Sequence, residues 1–168
     1  MPISAKQPHS VEELIALFRY DAATGSIFWR EAQCRGRVPA GSVAGCVKDN
    51  GYIRIQFKGR MLQAHRVAWA LFHGEWPSQS IDHINRNRAD NRIANLRSAS
   101  HAENTRNTPM RSHNRSGMKG VQIDKSGFRA RIKANGKRVD LGRFPTAEAA
   151  HEAYVVAAKK LHGEFASF

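Results

Sequence analysis

The stretch Asp82-His83-Ile84-Asn85, continued by Asp90-Asn91-Arg92-Ile93-Ala94-Asn95-Leu96-Arg97 and closed by Glu103-Asn104, constrains this chain more than any other. Ser100 and Glu103 form a Ser-x-x-Glu capping box, which predicts a helix starting at Ser100 with Asn104 in its first turns. Upstream, Arg88-Ala89-Asp90-Asn91 reads as a polar turn region, and Ile93 and Leu96 as short apolar anchors. The expected unit is a strand ending at His83, a loop, a short extended piece near Asn95, and the capped helix: a ββα arrangement. An imidazole titrates near neutral pH and can serve as a base. Asp82 and Asn104 offer the oxygen ligands that Mg²⁺ or Mn²⁺ prefers. An Asp-His pair alone is common, and Asn-Arg-Ile-Ala-Asn-Leu alone could be an ordinary turn and short strand. The whole constellation with its capped helix is far less ordinary.

On these residues the chain resembles the HNH homing endonucleases, in the variant whose third signature residue is asparagine. The resemblance continues upstream through Tyr20-Asp21-Ala22-Ala23-Thr24-Gly25, Ala64-His65-Arg66-Val67-Ala68-Trp69 and Gly74-Glu75-Trp76-Pro77, so it spans roughly the first two-thirds of the chain. It implies a metal-dependent DNA endonuclease of the phage or mobile-element homing type, built on a ββα-metal domain. Hydrolysing a phosphodiester needs a base to deprotonate water and a cation to stabilise the departing oxygen. By matching position, the resemblance makes His83 the base, and Asp82 and Asn104 the ligands of one Mg²⁺ or Mn²⁺ per site. Asn95 becomes the middle asparagine, which bridges the loop and holds the base. Arg86 departs from the pattern, standing where the family usually has glycine. His65 recurs in the resembling pattern and is read as a packed structural histidine. His101 is read as a solvated or capping group near the site.

Composition is compatible with a nucleic-acid partner. Of 168 residues, 27 are Lys or Arg and 14 Asp or Glu, a formal charge of +13. Dividing after residue 108 gives 15 basic and 9 acidic residues before it and 12 and 5 after it, or +6 and +7. Both parts are therefore expected to meet a polyanion, double-stranded DNA being the economical choice. Cys34 and Cys46 are the two cysteines, with no Cys-x-x-Cys pair, so no four-cysteine structural zinc site is expected. The start lacks an apolar signal core, and no apolar run is long enough to span a bilayer. The expectation is a soluble intracellular protein without a membrane partner, in the cytoplasm or nucleoid of a bacterial host.

The rest of the first part, residues 1–108, supplies support. Ser10-Val11-Glu12-Glu13 is a second capping box, followed by Leu14, Leu17 and Phe18 at helical spacing. Gly51 to Phe57 alternates, and Lys58-Gly59 closes a hairpin into Arg60 to His65. Val67 to Phe72 reads as a helix burying Trp69, stopped by Gly74 and Pro77. The three tryptophans read as core aromatics rather than base-stacking platforms. Residues 109–117 are polar, basic and broken by proline, so they read as a linker, with Arg111 and Arg115 able to track phosphates.

For the second domain, residues 118–168, Asn135-Gly136 is the strongest hairpin signal of the chain. As a two-residue loop it sets Ala134 opposite Lys137, Lys133 opposite Arg138, Ile132 opposite Val139, Arg131 opposite Asp140 and Ala130 opposite Leu141. Ala130, Ile132, Val139 and Leu141 then share an apolar face, and Arg129, Arg131, Lys133 and Arg138 share the other. Gly120 to Ile123 supplies a third strand. Thr146 caps a helix with Ala150, Ala153, Tyr154, Ala157 and Leu161 on its apolar side. The fold class is thus α+β, a nuclease domain followed by a small three-stranded antiparallel sheet packed on one helix. A basic β-ribbon of this size fits a DNA major groove, where arginine pairs bidentately with guanine. Gly120-Val121, Phe128 to Ile132, Leu141 to Phe144 and the helix from Ala149 to Ala158 resemble an APETALA-type, ethylene-response-factor-like DNA-binding domain. Phe128 stands where that family often has tryptophan, so its base contacts carry over in kind and not residue by residue.

Two other readings compete: a DNA-binding regulator with a vestigial nuclease motif, and a structural or ribosome-associated basic protein. Intact Asp82, His83, Asn95 and Asn104 favour the enzyme. One site of this kind cuts one strand, so cutting both would need a homodimer or sequential nicking.

Overall fold

The computed structural model describes residues 9–106, 110, 114–134 and 136–166, in two compact units that divide between Ser100 and His101. The division falls upstream of the expected linker 109–117, of which residues 109 and 111–113, Arg111 among them, lie outside the described residues. No described helix is long and apolar enough to cross a membrane.

In the first unit, α1 (Val11–Leu17) begins at the predicted cap, where Ser10 Oγ accepts from Glu13 N at 3.2 Å. The chain then enters β1 (Phe18–Asp21), paired antiparallel with β2 (Ser26–Trp29). Asp21 Oδ1 accepts from Ala23 N and Thr24 N at 3.0 and 3.3 Å, so the aspartate's own side chain closes the turn between them. A meander follows: β3 (Cys46–Val47), β4 (Ile53–Phe57) and β5 (Arg60–Gln63). Phe57 faces Arg60, and Lys58 and Gly59 have φ of 45° and 74°, the two positive values that a tight type I′ hairpin needs.

Helix α2 (Ala64–His73) starts ahead of the expected Val67 and ends at Gly74, whose φ of 76° is left-handed. Trp69 packs half-buried against the core rather than inside it. Strands β6 (Ser80–His83) and β7 (Leu96–Ala99) pair antiparallel, Asp82 opposite Arg97 and His83 opposite Leu96. The expected extended piece near Asn95 is a 3-10 turn, Ile93–Asn95, that leads into β7. Leu14, Phe18, Ile55 and Val67 are 0%, 1%, 0% and 0% exposed and anchor the core shared by these elements. Burying a side chain of this size stabilises the fold by about 1.5–3 kcal/mol.

In the second unit, α3 (His101–Arg106) precedes β8 (Val121–Asp124), β9 (Gly127–Ala134) and β10 (Lys137–Phe144), an antiparallel sheet with β9 in the middle. Four expected pairs are present: Ala134–Lys137, Lys133–Arg138, Ile132–Val139 and Arg131–Asp140; Asn135 itself lies outside the described residues. The fifth is not. Ala130 faces Gly142 instead of Leu141, because a β-bulge lies between Asp140 and Gly142. Arg143 Nε lies 3.0 Å from Asp124 Oδ2 across the sheet.

Helix α4 (Ala147–His162) is capped by Thr146, whose Oγ1 accepts from Ala149 N at 3.2 Å, and buries Ala150, Tyr154 and Ala158. A Cβ on Gly120 would collide with the Tyr154 ring, so glycine is what lets helix and sheet approach. Two expected core positions lie further out: Leu161 is 43% exposed, with Ala158 and His162 buried in its stead. Val139 is 38% exposed, near the start of the edge strand β10.

Candidate active site

Strand β6 delivers Asp82 and His83 side by side, 6% and 4% exposed. Asp82 faces Arg97 across the hairpin, and its Oδ2 accepts from Arg97 Nε and Nη2 at 2.9 and 2.7 Å. That pairing gives the buried carboxylate a hydrogen-bonded counter-charge, where an isolated one would be costly to bury.

Three rings meet at His83. Its centroid lies 5.2 Å from His65 and 5.9 Å from Tyr52, and the Tyr52 and His65 centroids are 5.3 Å apart. The Arg88 guanidinium sits 4.9 Å over the Tyr52 ring. On its other side, His83 Nε2 lies 3.1 Å from Oδ1 of Asn91, itself 2% exposed. Burial pushes the His83 imidazole below its ordinary value, against the opposing pull of the Asn91 hydrogen bond and the Asp82 charge. Burial, with the His83 and Arg66 charges, pushes His65 down to about 3. Both imidazoles are therefore neutral at physiological pH, and a neutral imidazole has a lone pair to accept a proton.

Asn95 is central to the loop between β6 and β7. Its Oδ1 accepts from Asn85 N at 2.9 Å, its Nδ2 donates to the Asp90 carbonyl at 2.8 Å, and its own carbonyl accepts from Ile84 N at 2.9 Å. Asp90 ties the other side, accepting from Asn85 Nδ2 at 2.8 Å and from Arg92 Nε and Nη2 at 2.8 and 2.6 Å. The Arg92 hydrogen bonds hold the Asp90 carboxyl down at about 2. Arg86 adopts a φ of 64°, which explains why glycine suits this position, and its N–H closes a turn onto the His83 carbonyl at 2.9 Å.

Asn104, the other expected ligand, lies half-buried on α3 in the second unit, where His101 is exposed. Asp82 and Asn104 belong to different units, and each carries a side-chain oxygen of the kind Mg²⁺ and Mn²⁺ prefer. No group of three or more His, Cys, Asp or Glu side chains able to hold a metal occurs among the described residues. Cys34 and Cys46 are exposed thiols.

The basic sheet face of the second unit is less open than its sequence implies. Arg129 and Arg131 are half-buried and share Asp140: Arg129 Nε donates to Oδ2 at 2.7 Å, and Arg131 Nε lies 3.7 Å from the same oxygen. Arg131 Nη1 also donates to Gln122 Oε1 at 3.1 Å. Lys133, Arg138 and Arg115 are exposed. The sequence reading overlooked Asn91 and Tyr52 as neighbours of His83 and took His65 as a packed structural histidine. Only the resembling His65-Arg66 motif signalled any of them.

A family model described as HNH endonuclease matches residues 62–106. Over 108 residues the chain is 33% identical to an uncharacterized HNH endonuclease of Acanthamoeba polyphaga mimivirus, covering 63% of this chain and 56% of that one. The chain thus spans about half the length of this curated relative. A solved structure concerning DNA binding and cleavage by the HNH homing endonuclease I-HmuI has a TM-score of 0.44 at 21% identity, covering 92% of this chain and 90% of that one. The segment that contributes His65, Asp82, His83, Asn91 and Asn95 is therefore the one that matches the HNH endonuclease family.

Proposed function

We propose that this chain is a divalent-metal-dependent DNA endonuclease of the homing type. The carrying observation is the buried His83 held beside the Arg97-paired Asp82 within the segment that matches the HNH endonuclease family. In the reaction, His83 takes a proton from water as its oxygen bonds to phosphorus in line with the departing oxygen, and the P–O3′ bond breaks. Asn95 keeps the loop closed around the base. Asp82 and Asn104 would hold one Mg²⁺ or Mn²⁺, which when bound neutralises charge on the phosphate and the leaving oxygen.

The second unit is read as an ethylene-response-factor-like DNA reader. Its exposed Lys133 and Arg138 and its Asp140-held Arg129 and Arg131 form the face offered to double-stranded DNA, with Arg111 and Arg115 upstream along the phosphates. A single site nicks one strand, so cutting both requires a homodimer or two encounters.

One observation favours a binding protein without cleavage: Arg97 occupies Asp82 Oδ2, the oxygen of an expected metal ligand. A plasmid-nicking assay separates the two. The endonuclease nicks in Mg²⁺ and not in its absence, and His83→Ala lowers the rate by about 10²–10⁴ with DNA affinity little changed. Binding without nicking in either Mg²⁺ or Mn²⁺ would establish the regulator instead.

A further inference from the structure

Asn91 is held against His83 by a part of the chain far away in sequence. Tyr20 Oη, on β1, donates to the Asn91 carbonyl at 2.8 Å. The Ala22 carbonyl accepts from Ile93 N at 3.4 Å. Gly25 has a φ of 76° and presses so closely on the same segment that a Cβ there would stand 2.6 Å from the Asn91 carbonyl carbon. The motif Tyr20–Gly25 is thus a seat for residues 91–93. Asn91, deeply buried on that seat, points its carboxamide oxygen at His83 Nε2.

A carboxamide oxygen only accepts hydrogen bonds, so this contact requires a proton on Nε2. A neutral imidazole carries a single N–H, and its lone pair is then on Nδ1. We propose that Asn91 is a positioning residue: its oxygen, fixed by hairpin β1–β2, selects the Nε2–H tautomer of His83 and makes Nδ1 the proton-accepting atom. The role of Nδ1 rests on the nuclease reading; the tautomer does not. Asn95, the asparagine to which the sequence points, has its side-chain bonds to Asn85 and Asp90. His65 and Tyr52 meet His83 ring to ring.

The test combines ¹⁵N shifts of the His83 ring in the metal-free full chain, with the imidazole neutral, and nicking kinetics in Mg²⁺. The wild type is expected to give the Nε2–H pattern. Asn91→Leu, similar in size but without the acceptor, is expected to give a tautomer mixture and a kcat lowered about 10-fold or more, part of the 10²–10⁴ that a general base contributes, with KM for DNA within about 2-fold. Asn91→Asp restores an acceptor and is expected to restore the single tautomer. A wild-type proton on Nδ1 overturns the inference, as does an Asn91→Leu chain that keeps both tautomer and rate. The wild-type spectrum decides the tautomer even where a variant does not fold. A wild type that shows the expected tautomer and never nicks DNA would sink the nuclease reading and leave the tautomer assignment standing.

Discussion

At Arg86 the loop that follows the candidate base carries a residue in a conformation it does not favour. A left-handed φ of 64° costs a side-chain-bearing residue about 1–2 kcal/mol. Glycine removes that cost but gains about 0.4–1 kcal/mol of freedom in the unfolded chain. Arg86→Gly is therefore expected to stabilise the protein by up to about 1 kcal/mol, read as a higher urea midpoint at unchanged slope. A lower midpoint would mean that the exposed guanidinium contributes more to the loop than its backbone costs. Residues of this kind were legible by pattern: the strand end at His83 and the departure at Arg86 stand in one contiguous stretch. Asn91 was not. Its contact with His83 depends on Tyr20, 71 residues away, and no local periodicity reports such a bond.

At the scale of elements, the loop between β6 and β7 behaves as one hydrogen-bonded body knotted at Asp90. Its carboxyl is held down at about 2 in the fold, whereas an unfolded aspartate titrates near 3.9. A depressed carboxyl stabilises the fold above its unfolded pKa, and that stability is lost as pH falls toward the folded value. Asp90→Asn is thus expected to be less stable than wild type at neutral pH, with the gap closing between about pH 4 and pH 2. Urea titrations across that range check it, and a gap that persists at pH 2 would assign the loss to geometry instead of charge. The elements themselves were largely readable. Lys58-Gly59, Ser10 and Thr146 are short-range signals whose turn and cap chemistry is complete within four residues. The early start of α2 and the half-buried Trp69 were hidden because tertiary packing, not local pattern, decides them.

For the molecule as a whole, the two units invite separate tests of cutting and reading. A chain ending near residue 110 keeps Asp82, His83, Asn95 and Asn104 and loses the sheet bearing Lys133 and Arg138. It is expected to nick DNA with weaker affinity and altered site preference. Its binding should also show a shallower salt dependence, the log–log slope falling by about 0.9 for each phosphate that the shorter chain leaves unneutralised. Identical cleavage maps and slopes for the two chains would return the basic sheet to an ordinary solvated surface.

The bulge in β10 decides which side chains of the strand's last stretch face out. Along an unbroken strand Arg143 shares parity with Val139 and Leu141, which would direct it under α4. With one extra residue after Asp140, Arg143 instead stands opposite Arg129, while Phe144 stands opposite Phe128 and packs inward. The count of residues between Val139 and Phe144, more than their identity, thus determines how many cations the outer surface carries. Removing a single residue there would exchange inside for outside along the last stretch of the strand, turning a cation into the core and an aromatic ring out to water.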